Sequence, residues 1–446
     1  MNFNSIASTV ACLSVLTFST VKAQDKVWTL DECAAYAVQN NIQVQQSNID
    51  KKIALSNRET RWAGLAPSLN ASSSYYWNFG LNVDPVTNII SEETRRTANF
   101  GLSGNWVLYN GGQNWNSIKQ SNLDYLAQTY TQQDIENDIN LNVASAFLQI
   151  LLNKEIRLVA QEQKRITELQ ASRMQQLVDA GARPKGDLLQ LQSQLARDNQ
   201  NLIAAENQVT ISKLQLANLM QLEDPQNLRV ADPQIALPGT EYMARQPDII
   251  YETALGNQAD IKSAETTVLS SEENVDVALS GYLPTLSLGF GIGTNYSSQV
   301  ERVFNQDFST QLDNNLNKYI GFNLNVPIFS RFQTRNQYQT AKLNFERARL
   351  NLELSKNNLK QTVYQAHADA KAAYNSYLAA EKAVEANEES FKYAQQRYDV
   401  GALSQFDYEN AKNSLASAKS EMVRAKYDYI FKVKVLEFYL TNQVKL

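Results

Sequence analysis

The chain is poor in the side chains that most active sites require. One histidine, His367, and two cysteines, Cys12 and Cys33, are all it holds in 446 residues. Zinc sites and internal disulfides need paired or clustered ligands. A single histidine could serve a Ser-His-Asp triad, but no nucleophile motif accompanies it. His367 lies in an alanine-rich helical stretch and reads as a helix-surface residue. Gly289-Phe-Gly291-Ile-Gly293 falls inside an alternating segment with no helix after it, so it is not a dinucleotide fingerprint. No catalysis, cofactor or metal is expected. Basic clusters are missing too: Lys plus Arg number 41 against 46 for Asp plus Glu, a net charge of -5. That excludes nucleic acid as an expected partner. Beyond the N-terminus there is no apolar run of 18 residues, and the mean hydropathy is -0.40. A transmembrane α-helix is thereby excluded. A transmembrane β-barrel, whose strands are short and only alternately apolar, is not.

Residues 1–23 read as a secretory signal. Ile6 to Phe18 is mostly apolar, and Val21-Lys-Ala23 offers small residues before a cleavage point. Cys12 then belongs to the leader. Thr9-Val-Ala11 before it is a poor lipoprotein box, so no lipid anchor is expected. Cys33 is left as the one cysteine of the mature chain and is expected to be a small core residue.

Proline and glycine are absent where helices can be longest. Neither occurs from Gln113 to Ala180 or from Arg331 to Val400. At 1.5 Å per residue each run makes a helix of roughly 100 Å. The second run carries Val363, Ala366, Ala370, Ala373, Tyr377, Ala380, Val384, Asn387, Phe391, Ala394 and Tyr398 at spacings of three and four. Such alanine-rich heptads suit close antiparallel packing. Tyr408, Ala411, Leu415, Ala418, Met422, Ala425 and Tyr429 continue the pattern in the next helix. Leu188, Leu191, Leu195, Leu202, Ala205 and Val209 do so in its counterpart.

That counterpart exists because the chain is duplicated. Leu65-Ala-Pro67-Ser-Leu69 matches Tyr282-Leu-Pro284-Thr-Leu286, an offset of 217, and Gly181 and Asp187 match Gly401 and Asp407, an offset of 220. A three-residue change in a loop separates the two registers. Internal repeats outrank other clues to a fold. The repeats read as 24–246 and 247–446. The first has a strand pair at 68–80 and 98–109, helices at 112–180 and 184–221, and a proline-rich link at 223–246. The second has strands at 284–296 and 318–329, then helices at 331–400 and 404–441.

Four segments alternate. Leu69 to Phe79, Phe100 to Leu108, Leu286 to Ile292 and Ile320 to Ile328 place apolar residues on one face, with Ser, Asn, Gly or Thr between them. Each run of about 11 residues has the length of a tilted outer-membrane strand. Tyr76, Tyr109, Tyr296, Tyr319 and Phe329 near their ends fit an interfacial belt. The intervening loops, 81–97 and 297–318, show no helical pattern. Four strands cannot close a membrane barrel, which needs at least eight, and an open edge in lipid is prohibitive. Copies of the chain must therefore complete the sheet, two giving eight strands or three giving 12.

The helix-turn-helix tips hold the candidate site. Gly181-Ala-Arg183-Pro-Lys-Gly-Asp187 and Gly401-Ala-Leu-Ser-Gln-Phe-Asp407 each place an aspartate six residues after a glycine. One reading is a glycine C-cap followed by a first-turn carboxylate. The other is a ring of carboxylates at the narrow end of a tube, favouring cations and controlling its opening.

With its duplicated Leu-x-Pro-x-Leu approach to a strand, Tyr109-Asn-Gly-Gly112 exit and Arg397-Tyr-Asp-Val-Gly401 tip, the chain resembles the TolC family of outer-membrane channels and efflux proteins. The match covers essentially the whole mature sequence. The family implies a homotrimer: a 12-stranded β-barrel in outer-membrane lipid, four strands per chain, continuous with a long periplasmic α-helical barrel. It also implies a periplasmic adaptor and an inner-membrane transporter as partners, and a passive export role in the outer membrane of a Gram-negative cell. Asp407 matches the first aspartate of the family's periplasmic gate. The second falls at Asn410, and the gate arginine at Leu403, with Arg183 at the matching position of the first repeat. A weaker cation preference and a different gate network are expected. Gly181, Gly401, Val400 and Ala402 would meet the adaptor. The rival readings are a periplasmic coiled-coil adaptor or scaffold without a barrel, and a plain porin. The four strands count against the first and the helix lengths against the second.

Overall fold

The computed structural model describes residues 26–83, 88, 90–92, 94–233 and 235–442. The leader read at 1–23 lies outside the described residues. The first half runs β1 (Val27–Trp28), α1 (Leu30–Asn40), α2 (Ile42–Ala63), β2 (Ser68–Asn78), β3 (Leu81–Val83), β4 (Ile90–Glu92), β5 (Arg95–Asn110), α3 (Gln113–Asp179) and α4 (Lys185–Met220). β6 (Arg229–Val230) and α5 (Glu241–Ala244) follow in the link. The second half runs α6 (Pro247–Asn257), α7 (Ala259–Leu279), β7 (Thr285–Ser297), α8 (Ser298–Phe304), α9 (Phe308–Asn314), β8 (Asn317–Asn325), α10 (Gln333–Asp399) and α11 (Gln405–Thr441).

The two long helices, α3 and α10, have 67 residues each. Without an internal proline or glycine nothing interrupts their hydrogen-bond ladders, and each extends roughly 100 Å. α2 and α4 pack along α3, α11 along α10, and α7 lies between α3 and α10. Two hydrophobic clusters sit near mid-length, and the first also takes in Val423, Tyr427 and Ile430 of α11. The first joins α1, α3 and α4 through Cys33, Ala37, Phe147, Leu151 and Leu216. The second joins α6, α7, α10 and α11 through Ile250, Ile261, Val363, Ala370 and Val433. α1 enters its cluster on a capping box: the Thr29 hydroxyl accepts from the Glu32 N–H, and the Glu32 carboxylate accepts from the Thr29 N–H. Cys33 is fully buried there, and burial pushes its thiol up to about 12, leaving it inert. Among the described residues no helix is long and apolar enough to cross a membrane.

β2, β5, β7 and β8 form one antiparallel sheet in that order. Its register sorts side chains by polarity. On one face Tyr75, Leu102, Ile292 and Phe322 share parity with Leu69, Phe100, Phe290 and Leu324. On the other, Ser72 opposes Gly101, Gly101 opposes Gly293, and Gly293 opposes Asn317. Period-two alternation thus gives an apolar and a polar surface. The apolar one is bare in a single chain: Phe322 is 73% exposed and Trp77 57%. β2 and β8 are open edges.

Three expectations from sequence need correction. The loop read as 297–318 without helices contains α8 and α9. Seven residues are too few for helical periodicity to show. The strand read to 329 stops at Asn325, because Pro327 cannot donate to a ladder. His367 is not a plain surface residue: it is half-buried, and its Nε2 donates to the Met243 carbonyl of α5 at 3.0 Å.

The passage from sheet to long helix shows how differently two copies can solve one problem. Gly111 and Gly112 adopt φ of 68° and 85° before α3, whereas Arg331 and Phe332, 220 residues later, adopt 51° and 62° before α10. The turn needs two successive left-handed residues. Glycine takes them freely, and Arg and Phe do not.

Between α3 and α7, burial pushes Asp134 up to about 6, with the Asp260 and Asp138 carboxylates adding to it. Burial also raises Asp138 and Asp260. A carboxyl raised in the folded state weakens folding above its folded pKa. The penalty disappears as pH falls through that value toward the unfolded one. Asp134→Asn should therefore stabilise the protein at about pH 7.5, on the order of 1 kcal/mol after allowance for partial exposure, and gain little near pH 4.5. Thermal unfolding at the two pH values checks this. An equal gain at both would assign it to something other than the carboxylate charge.

Candidate functional site

The hairpin tips are built by one device used twice. α3 ends with Gly181 at φ 72°, its N–H donating to the Val178 carbonyl at 2.9 Å, while the Ala182 N–H donates to Leu177 at 2.8 Å. α10 ends with Gly401 at φ 77°, donating to Tyr398 at 3.0 Å, and Ala402 donates to Arg397 at 2.8 Å. Both are Schellman caps, for which the left-handed residue is best a glycine. The chain then reverses into α4 or α11. At α11 the Ser404 hydroxyl accepts from the Asp407 N–H at 3.2 Å and donates to the Asp407 carboxylate at 2.7 Å. At α4 Pro184 occupies the cap position and Asp187 donates its N–H to the Pro184 carbonyl at 3.2 Å.

The aspartates therefore stand in the first helical turn, where the helix dipole favours them. Asp407 and Asn410 are exposed, and Asp187 and Leu403 are half-buried. No hydrogen bond or ion pair joins Asp187 to Asp407 among the described residues. Val400 is 79% exposed, and Gly181, Gly401 and Ala402 are also exposed. Arg183 lines a cleft of about 320 Å³ with Arg165, Arg173, Tyr398, Asp399 and Tyr408. Arg173 pairs with Asp399 at 3.0 Å, bridging the two hairpins. Burial raises Tyr398, against the opposing pull of the nearby Arg183 charge. Tyr408 is pushed up to about 12, by burial first and then by Glu409. Tyr398 donates its hydroxyl to Gln405. Position 403 carries no charge, so the arginine near Tyr398 comes from the first hairpin.

A second polar group, announced by no sequence motif, locks the hairpins together one level above the tips. Lys412 on α11 is 1% exposed and Asp198 on α4 is 2% exposed. The Lys412 ammonium donates to the Thr167 hydroxyl of α3 at 2.7 Å, and lies 2.6 Å from Glu409 and 3.8 Å from Asp198. Gln194 donates to the other Asp198 oxygen at 2.8 Å. The sequence did carry a trace of this. Leu188, Leu191, Leu195 and Leu202 leave a gap in the heptad at 198, where an aspartate sits in a core position.

Long paired helices, two Schellman tips and a two-faced four-stranded sheet with both edges open occur here in one duplicated chain. The outer membrane efflux protein family matches over residues 35–220 and 250–440, one match to each repeat. The chain belongs to that family. Outer membrane efflux protein BepC of Brucella suis is 22% identical over 402 residues, covering 90% of this chain and 83% of its own length. Outer membrane protein TolC of Vibrio cholerae is 21% identical over 411 residues, 91% of this chain and 90% of its own. The crystal structure of the Campylobacter jejuni CmeC outer membrane channel superposes with a TM-score of 0.78 at 19% identity, covering 92% of this chain and 85% of that one. The resemblance seen in the sequence and the architecture agree. This is an efflux channel of the outer membrane, with the helical part in the periplasm and the sheet in the bilayer.

Proposed function

We propose that three copies of this chain form the passive exit duct of a tripartite export system. The observation that carries this is the sheet. Its apolar surface suits lipid, yet β2 and β8 present unpaired backbone groups along both edges. In hydrocarbon each unsatisfied group costs several kcal/mol. Pairing β8 of one copy with β2 of the next removes every edge, and three copies give 12 strands. The polar face of Ser, Gly and Asn then lines a wet lumen. The protein performs no reaction. Its energy comes from an inner-membrane transporter, joined to the duct by a periplasmic adaptor that meets the tips at Gly181, Val400, Gly401 and Ala402.

At the tips three copies of Asp407 form the carboxylate ring of the gate. Asn410 supplies no second ring, and Arg183 replaces the missing charge at Leu403. The test is conductance of the mature protein in planar bilayers. The wild type should conduct with a modest cation preference, and Asp407→Ala should reduce that preference severalfold. A variant with unchanged conductance and selectivity would leave Asp407 as a helix-cap residue alone.

A further inference from the structure

We propose that α8 and α9, the short helices between β7 and β8, form a membrane-interface element that embeds Phe304 and Phe308 among the acyl chains of the outer leaflet. This rests on the outer-membrane placement of the sheet and adds to it a part that the strands alone do not supply.

The helices are seated on the apolar face of the sheet. The Phe308 ring lies 5.1 Å from that of Tyr296 and 6.3 Å from that of Phe100. The Thr294 hydroxyl donates to the Leu312 carbonyl at 2.7 Å. Thr294, Tyr296 and Phe100 share parity with Leu102 and Ile292, so α9 continues the lipid-facing surface and not the lumen.

The segment is also held in place. The buried Gln311 side chain accepts from the Ser297 N–H at 2.9 Å and donates to the carbonyls of Ser297 at 3.1 Å and Gln306 at 2.9 Å. Asn315 donates to the Asn295 carbonyl at 2.7 Å. Its outer side is mixed: Arg302, Asn305, Asp307 and Asp313 are exposed beside the apolar groups, a composition suited to the boundary between headgroups and acyl chains. Gln299 and Gln311 turn inward and are buried, while Val303, Phe304 and Leu316 are exposed and Phe308, packed on Tyr296, leaves part of its ring exposed; Phe304 is 53% exposed. Four exposed large apolar side chains in so short a segment mark an interaction surface.

Continuity identifies the occupant. Leu316 leads directly into β8, whose Ile320 and Phe322 belong to the lipid face. Tyr75 and Trp77, near the end of β2, carry aromatic rings on the same face, 4.4 Å apart. Aromatic side chains collect where acyl chains meet headgroups. Helices with an apolar outer side lie in that plane. The two phenylalanines fix the depth of the barrel at its outer rim.

The experiment uses the full assembled protein with Cys33→Ala, reconstituted in phosphatidylcholine vesicles and labelled at F304C or F322C with an environment-sensitive fluorophore. Lipids brominated at a shallow or a deep acyl position act as quenchers. F304C should be quenched severalfold more by the shallow lipid than by the deep one, and F322C should be quenched strongly by the deep one. F322C quenched while F304C is not would overturn the proposal and leave the membrane placement standing. Unquenched F304C with blue-shifted emission would assign the helices to contact with a neighbouring copy, which also overturns it. If F322C is unquenched by either lipid, the sheet's membrane placement falls, and the proposal with it.

Discussion

Lys412→Ala should cost about 3–5 kcal/mol of stability, the range for removing one partner of a buried ion pair. The magnitude follows from what remains. Asp198 is 2% exposed and Glu409 is 8% exposed, so both carboxylates would lose the ammonium that compensates them. Thr167, fully buried, would lose the donor to its hydroxyl. Exposures this low leave water little access unless α11 separates from α3 and α4. Thermal unfolding of the assembled protein measures the loss, and hydrogen exchange locates it: amides near Thr167 and Lys412 should exchange much faster, and those near Phe147 little faster. A combined Lys412→Met and Asp198→Leu variant should recover part of the loss, since it leaves only Glu409 unpaired. A single variant within about 0.5 kcal/mol of wild type, the range of ordinary surface substitutions, would show that the seam is hydrated in the assembly.

Gly104→Val should abolish the assembled barrel. A Cβ at position 104 would stand 2.4 Å from the Phe290 ring and 2.9 Å from the Ser68 carbonyl oxygen. Phe290 could turn aside, but Ser68 is backbone at the start of β2 and moves only if the β2–β5 register breaks. One-residue slips exchange the two faces of a strand. Adding bulk to a packed site usually costs about 1–3 kcal/mol; a clash with backbone costs more. Gly321→Ala on β8 is the matched control, because nothing lies within 4 Å of its Cβ position. Unboiled outer-membrane extracts should show oligomer for Gly321→Ala and none for Gly104→Val. Oligomer at wild-type levels in both would contradict the packing of Phe290 over Gly104.

What could be read from the sequence was whatever repeats or alternates. Val363, Ala366, Ala370, Ala373, Tyr377 and Val384 are buried on α10, and Ala380, Asn387, Phe391, Ala394 and Tyr398 of the same stripe are half-buried. Heptads record burial directly because one helix face meets one neighbour. The alternation of the strands was legible for the same reason. Features depending on a single contact were not. Nothing in Arg331-Phe332 announces a left-handed pair; only the alignment with Gly111-Gly112 would have suggested it. Lys412 reads as a surface lysine because its partners lie 214 and 245 positions away, at Asp198 and Thr167. His367 was misread because its partner is the carbonyl of Met243, which any residue would supply. At the tips Asp187 and Asp407 stand on first helical turns, as their positions after the glycines suggest, but a single chain does not bring Asp407 to Asp187.

The central claim is that copies of this chain close into one barrel and one tube. Particle imaging of the mature protein, extracted from outer membranes in detergent, tests it most directly. The expected particle has threefold symmetry and is about 130–140 Å long, from roughly 100 Å of helix plus a barrel of membrane height. A soluble monomer, or an elongated particle with no barrel at its end, would contradict the account.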